Sequence, residues 1–283
     1  MAGQDVKGKL KTAGVDKVAS IKVKEKDSGN KIAVLYAEGE IRDDDSSSPF
    51  SADEQVISEE MANKLRKLKA DDDVKAVVFR VNSPGGSAYI SEQIWKEVVE
   101  LKAKKPIVVS MGNYAASGGY YISCAANKIV AERTTLTGSI GVFGVVRNFT
   151  GTYDKVGVTT DIVKTNTFAD LGDISRPMRE DEKALLQRGV EQTYDLFLTR
   201  CADGRGMTKA EIDSIGQGRV WTGEQALESG LVDQLGGMDD AIKEAATLAE
   251  LTDYSVIVAD GPKDFFTKFM EKQMDEAKVS IAK

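Results

Sequence analysis

Short runs of β-branched and aliphatic residues alternate along the chain with longer stretches whose apolar positions recur every three or four residues. Lys31-Ile32-Ala33-Val34-Leu35-Tyr36 reads as the first strand. An acidic, serine-rich loop from Asp43 to Pro49 comes next, and Ser51-Ala52-Asp53-Glu54 has the spacing of a capping box. Val56, Ile57, Met61 and Leu65 then predict an amphipathic helix to about Lys69. Val74 to Val81 predicts a buried strand, Ile90, Ile94, Val98 and Leu101 a helix, and Ile107-Val108-Val109 a second buried strand. Two such strands joined by a helix imply a right-handed parallel crossover. Loops 82–87 and 111–117 therefore belong side by side at the carboxyl edge of one sheet, where open α/β sheets keep their sites.

Beyond this unit the pattern predicts strands over Lys128 to Ala131, Val158 to Val163 and Tyr254 to Val258. It predicts a long helix from Arg179 to Cys201 with the stripe Leu185, Leu186, Val190, Tyr194, Leu196 and Phe197, of the kind that meets a core or another subunit. Further helices are expected after Thr222-Gly223 and from Met238 to Leu251, with Lys164 to Pro177 irregular. Residues 1–30 carry seven lysines and four acids and read as a linker or N-terminal arm. Residues 31–260 form the main domain, and Phe265, Phe266, Phe269 and Met270 predict a C-terminal amphipathic helix over 261–283 that packs on a partner subunit.

The candidate chemistry lies at the predicted strand ends. After Val109, the small residues of Ser110-Met111-Gly112-Asn113-Tyr114-Ala115-Ala116-Ser117-Gly118-Gly119 predict a tight turn, with Ser117 opening a helix through Ile122 and Ala126. A serine there has its hydroxyl lifted clear of the sheet, above unpaired helix N–H groups. The mechanics are those of a nucleophile elbow, although the G-x-S-x-G sequence is not present. Close helix–sheet packing accounts equally well for so many small residues. Asn82-Ser83-Pro84-Gly85-Gly86-Ser87 is common turn vocabulary. Its glycine N–H groups also allow close approach, and one of them together with the Gly118 N–H would make a two-donor oxyanion hole. Ser139, in the loop Leu136 to Gly141, is a second serine candidate, for which a lining role is favoured.

Composition narrows the chemistry. The chain has 283 residues and no histidine, which removes Ser-His-Asp, Cys-His and His-ligated zinc sites. A nucleophilic Ser117 must then use a lysine, a carboxylate or an amino terminus as base, lysine being the usual alternative. A net charge of −7 leaves no footprint for nucleic acid. The two cysteines make no disulfide framework: Cys124 is expected to be buried and Cys201 incidental. No stretch reaches the length of a membrane span, and the N-terminus has no apolar signal core.

Four ordered segments resemble the signal peptide peptidase A family, the S49 group of serine peptidases. They are Arg80 to Ser87, Ser110 to Tyr120, Leu136 to Gly141 and Gly218-Arg219-Val220-Trp221-Thr222-Gly223, within a likeness running from about Lys31 to Ala246. The resemblance implies an α/β fold of the ClpP/crotonase-like ββα-spiral type, with a parallel sheet and flanking helices. It implies a homo-oligomeric ring or dome, no cofactor, and degradation of apolar remnant signal peptides on the periplasmic side of the bacterial cytoplasmic membrane. By it Ser117 is the nucleophile, and Gly86 and Gly118 supply the oxyanion N–H groups. Short members of the family carry a general-base lysine in a loop that here reads Thr165-Asn166-Thr167-Phe168-Ala169-Asp170, with Ala169 at the lysine position. Long members consist of two halves, the lysine in the first and the serine in the second. This chain resembles the second half, so the base is expected from an N-terminal half, and neither Lys164 nor Lys183 is assigned to it. Two other readings stand beside this one: a crotonase-like acyl-thioester enzyme, and a catalytically silent, ring-forming half.

Overall fold

Successive residues of a strand point to opposite faces of a sheet, and the central strands here are apolar on both. The computed structural model describes residues 29–43 and 55–259. Its strands are β1 (Lys31–Glu38), β2 (Glu40–Ile41), β3 (Val56–Ile57), β4 (Val74–Ser83), β5 (Ile107–Ala116), β6 (Lys128–Ala131), β7 (Leu136–Gly138), β8 (Val220–Thr222), β9 (Gln234–Leu235) and β10 (Ser255–Val258). The helices are α1 (Glu60–Ala70), α2 (Ala88–Lys102), α3 (Gly118–Tyr121), α4 (Thr150–Val156), α5 (Glu180–Arg205), α6 (Lys209–Ile215), α7 (Gly223–Glu228) and α8 (Met238–Leu248). Strands β10-β1-β4-β5-β6-β9 are parallel neighbours in that order. Ala33, Leu35, Val77, Phe79 and Val109 pack toward one side with α1 and α2. Ile32, Val34, Ala76, Val78 and Val108 pack toward the other, under Ala241 and Ala245 of α8. Burial on both faces is what near-continuous apolar strands require.

The crossover β4–α2–β5 forms as its pattern predicts. Ser87 caps α2 by accepting the Ile90 N–H at 3.4 Å, and Ile90, Ile94, Val98 and Leu101 are its buried stripe. The long strand β5 is where the fold departs from expectation. Residues 110–116 do not turn; they continue the strand to Ala116. The β4–β5 register jumps from Val81 opposite Met111 to Ser83 opposite Ala115, a bulge at Gly112 to Tyr114. A Cβ at Gly112 would lie 2.8 Å from the Asn82 side chain, whose Oδ1 accepts the Tyr114 N–H at 3.2 Å. Such a bulge bends a strand and re-aims the residues beyond it. Before it, β5 pairs with β6; after it, β5 pairs with β7, which pairs antiparallel with β8. Small residues are needed along this stretch because the strand changes partners there.

Other boundaries move for local reasons. Val56 and Ile57 belong to a strand paired with β2, and the helix waits until Glu60, whose N–H bonds to Ser58 Oγ at 3.3 Å. The strand expected over Val158 to Val163 does not form. Those residues have no ladder partner and lie exposed, and a β-branched run without a neighbouring edge gains nothing from extension. Before them the short helix α4 ends at Gly157, in the left-handed region at φ 70°. Helix α5 runs four residues past Cys201 to Arg205, α8 stops at Leu248, and α3 is a single turn rather than a helix reaching Ala126. The expected capping box at Ser51 to Glu54, residues 1–28 of the arm and the C-terminal helix over 261–283 lie outside the described residues. Among the described residues no helix is long and apolar enough to cross a membrane.

Candidate active site

The bulge delivers β5 to Ala116, and the backbone then reverses at Ser117 with φ 52° and ψ −120°, a conformation that serine rarely adopts. Strain of this kind costs about 1–3 kcal/mol and is held only where the surroundings over-determine it. Here the Ser117 N–H is bonded to the Gly138 carbonyl at 2.9 Å, and its own carbonyl accepts the Tyr121 N–H at 2.9 Å. Among the described residues the Ser117 hydroxyl has no hydrogen-bond partner, and it faces a cleft of about 890 Å³.

The Pro84-Gly85-Gly86 loop lies directly against this turn. A Cβ on Gly85 would sit 2.6 Å from the Gly118 nitrogen and 2.8 Å from the Ser117 Cβ, so only glycine fits. The Gly85 N–H is taken by Ser83 Oγ at 3.1 Å. The next peptide is held from outside: Ile41 N–H bonds to the Gly85 carbonyl at 2.9 Å, and Ser87 N–H bonds to the Ile41 carbonyl at 2.7 Å. Among the described residues the N–H groups of Gly86 and Gly118 have no acceptor, and both glycines line the same cleft as Ser117. The arrangement sets a serine hydroxyl and two backbone N–H groups without acceptors on one cleft, a set on which acyl-transfer chemistry could draw for a developing oxyanion. Ser139 also lines the cleft, at φ 48°, with its N–H bonded to the Arg219 carbonyl at 2.7 Å. The lining role expected of it is the place it occupies.

The opposite wall comes from α5. Val190, Tyr194 and Phe197 of the stripe line the cleft; Phe197 is also buried in the core and Tyr194 packs against it, so the face expected to meet a core does so and borders the cleft as well. Sequence spacing identifies such a stripe but not what it covers. Tyr121 completes this wall, with its ring 4.7 Å from that of Phe197. Burial, then the hydrogen bond to Glu92 at 2.5 Å, pushes the Tyr121 phenol far up. Arg200 pairs with the same Glu92 and stacks 3.9 Å over Trp95. Burial and a 2.6 Å bond to Asp213 push the Tyr194 phenol up to about 12. Both phenols are therefore neutral near pH 7. Among the described residues the remaining ionisable groups on the lining are Glu40 and Glu191, and no lysine is among them.

The two lysines named above are held elsewhere. Lys164 is bonded to Asp170 Oδ1 at 2.9 Å and Lys183 to Glu180 at 2.6 Å. Asp170 in turn meets Arg176 at 2.8 Å, and Arg176 reaches the buried Glu182 at 2.6 Å. The Lys164 ammonium, then Arg176, holds the Asp170 carboxyl down at about 2, and Arg176 does the same for Glu182. Ala169 stands exposed beside this network. Among the described residues no group of acids and cysteines is arranged to hold a metal ion.

Comparison with known proteins places these features. The profile of Peptidase family S49 matches residues 99–252, and that of Clp protease matches 50–140. The chain is 45% identical over 226 residues to Protease 4 of Salmonella typhi, covering 80% of this chain and 36% of that protein. It is 37% identical to a chloroplastic serine protease SPPA of Arabidopsis thaliana, covering 78% of this chain and 33% of the other. To a putative signal peptide peptidase SppA of Enterococcus faecium it is 38% identical, covering 86% and 71% respectively. It thus spans about a third of the length of the two longer relatives. Among solved structures, a ClpP1 mutant from Listeria monocytogenes superposes with TM-score 0.49 at 14% identity, covering 74% of this chain and 94% of that one. The parallel sheet with flanking helices and the Clp profile over its first crossover agree with the expected ClpP/crotonase-like α/β fold.

Proposed function

This chain belongs to peptidase family S49, and from that premise we propose that it is the serine-bearing portion of a Ser/Lys peptidase acting on apolar, extended peptides. The observation that carries the proposal is the strained Ser117 turn, with its free hydroxyl beside the unbonded N–H groups of Gly86 and Gly118. Ser117 Oγ attacks the scissile carbonyl while its proton passes to a neutral lysine amine. The carbonyl oxygen, now an oxyanion, takes hydrogen bonds from the two glycine N–H groups. The lysine returns the proton to the departing amine, and water then releases the acyl group from Ser117 by the same route in reverse.

The lysine comes from another polypeptide segment, the N-terminal half by family resemblance; position 169 is alanine, and among the described residues the cleft lining holds no lysine. The apolar wall of Val190, Phe197 and Tyr121 supports an apolar substrate. Remnant signal peptides on the outer side of the cytoplasmic membrane have that chemistry, and a ring of subunits would enclose the cleft.

The test is intact-mass measurement after treatment with a fluorophosphonate, for the chain alone and mixed with the lysine-bearing half of a long S49 protein. A single adduct mapped to Ser117, formed faster in the mixture and absent from Ser117→Ala, is expected. An adduct on another residue, or none in either sample, overturns the proposal. The second outcome would point to a silent half or to thioester chemistry that does not need Ser117.

A further inference from the structure

The apolar wall of the cleft is fastened from behind. Tyr121 and Phe197 line the cleft and are only 4% and 3% exposed, with their rings 4.7 Å apart. Tyr121 ends α3, and its N–H bonds to the Ser117 carbonyl at 2.9 Å, so the turn that sets the serine also sets this ring. A phenol packed against a phenylalanine must still find a partner for its hydroxyl. The Tyr121 hydroxyl donates to Glu92 Oε2 at 2.5 Å. Glu92 lies on α2 next to Ser91, which lines the cleft, whereas among the described residues Glu92 is not part of the lining. The ring therefore stands between the cleft and the carboxylate, with its hydroxyl turned away from the cleft. Arg200, one turn after Phe197 on α5, grips both oxygens of Glu92, Nε to Oε2 at 3.2 Å and Nη2 to Oε1. Its guanidinium also lies 3.9 Å over the ring of Trp95, one turn after Glu92 on α2. One carboxylate thus joins α2, α3 and α5 behind the wall.

We propose that Glu92, held by Arg200, is a positioning residue for substrate selection: it fixes the Tyr121 ring against Phe197 and so keeps the cleft beside Ser117 open to an extended apolar group. The inference rests on the reading of that cleft as the peptide site. Glu92 does not touch the substrate; it acts through the phenol. Without an acceptor at position 92 the buried hydroxyl is unpaired, a state costly enough to draw it to water. Where an apolar side chain fills the space behind the ring there is no water, so the ring turns into the cleft. There it takes the room an apolar group would use. Each methylene kept out of an apolar site changes affinity about fourfold, so a ring that displaces two methylenes costs about 15-fold. A phenylalanine at position 121 has no hydroxyl to satisfy, and it stays packed on Phe197 whether or not an acceptor is present.

The experiment uses the full chain carrying Ser117→Cys. It reads the rates at which the introduced thiol reacts with methyl and octyl methanethiosulfonate, each divided by the reagent's rate with glutathione, and maps the adducts by mass spectrometry. This reaction needs neither the general base nor the oxyanion donors, and the native Cys124 and Cys201 are buried. The octyl reagent should be favoured, and Glu92→Leu should lower the octyl-to-methyl ratio by about 15-fold. Tyr121→Phe alone, Tyr121→Phe added to Glu92→Leu, and Glu92→Gln, whose amide oxygen still accepts, should all stay within about twofold of the starting ratio. A merely structural loss at Glu92 would not be rescued by removing a hydroxyl from Tyr121. If Glu92→Leu does not fold, Glu92→Met is measured in its place. No octyl preference in the starting chain, an unchanged ratio in Glu92→Leu, or a ratio that Tyr121→Phe fails to restore would each overturn the inference. Fluorophosphonate labelling of the chain with Ser117 intact tests that serine as nucleophile separately, so either reading can fail without the other.

Discussion

Gly86→Ala and Gly118→Ala alter the two proposed oxyanion donors by the same single methyl group, but the structure assigns them very different costs. Gly86 has φ 146°, and a Cβ there would lie 2.0 Å from the Ile41 carbonyl oxygen and 2.8 Å from its carbon. Both obstacles are backbone, so β2 has to move by roughly 1 Å to restore an ordinary contact. That movement breaks the Ile41–Gly85 and Ser87–Ile41 hydrogen bonds, at 2.9 and 2.7 Å. Each bond contributes about 1 kcal/mol and the strained φ costs about 1–3 kcal/mol, giving about 3–5 kcal/mol in total. At Gly118 the backbone is unstrained, and the methyl would meet two side-chain ends, Ser91 Oγ at 2.7 Å and Ile41 Cδ1 at 3.0 Å, with backbone only at the Gly85 Cα, 3.2 Å away. Ser91 can rotate away, giving up its 2.8 Å bond to the Ser87 carbonyl, for about 1 kcal/mol. Urea unfolding monitored by circular dichroism measures the difference. With a slope of about 2–3 kcal/mol per molar, Gly86→Ala should lower the midpoint by about 1–2.5 M and Gly118→Ala by no more than about 0.5 M. Equal midpoints, or a more stable Gly86→Ala, would refute the reasoning.

Other outcomes rest on the same geometry. Ser117→Gly removes the hydroxyl and places at φ 52° a residue that tolerates it, so the variant should be more stable than the parent by about 1 kcal/mol in thermal unfolding while losing fluorophosphonate labelling. Purified alone, the chain should hydrolyse a fluorogenic apolar peptide barely above background from pH 6 to 10. Ala169→Lys should raise that rate weakly, and robust turnover by the unaltered chain that Ser117→Ala abolishes would place a base within this sequence. Asp170 and Glu182 both titrate at about 2, below their ordinary values, so their contribution to stability is complete above about pH 4.5 and is lost as the pH falls towards 2. Hydrogen exchange should therefore show residues 164–182 opening in that window, and Arg176→Ala should bring the opening to neutral pH.

The crossover and its burial were legible because β4, α2 and β5 each carry a periodicity that only one element satisfies. Ser117 was legible as a strand-to-helix residue, and Ser139 as a lining residue. Three features were not. The small residues from Ser110 to Ala116 carry no mark of whether they turn or extend, since the answer depends on β5 exchanging β6 for β7 as its neighbour. The stripe on α5 specifies an apolar face but not that Val190, Tyr194 and Phe197 border a cleft. Cys201, expected to be incidental, is fully buried, which depends on how α5 packs into the core and leaves no local sign in the sequence.

What the proposed site contains among the described residues is mostly backbone, which bears on why the proposal takes the oxyanion donors from this chain and the base from outside it. Four non-glycine residues have positive φ among the described residues, Ser117, Ser139, Gln217 and Glu250, and the first three line the cleft. Each stands in a loop braced by main-chain bonds: Ser117 to Gly138, Ser139 to Arg219, and Gly218 to Ile140 at 2.8 Å. A donor pair of this kind depends on the rigid placement of several chain segments against one another, so it has to come from a single folded unit. A general base has no such requirement. It is one amine at the end of a flexible stem, and a neighbouring polypeptide can insert it through the open side of the cleft. The unit that holds the oxyanion donors is thus the part of the machinery that cannot be divided. On the proposed function the lysine is the part that can be moved, and position 169, alanine here, is where such a transfer would dispense with a lysine.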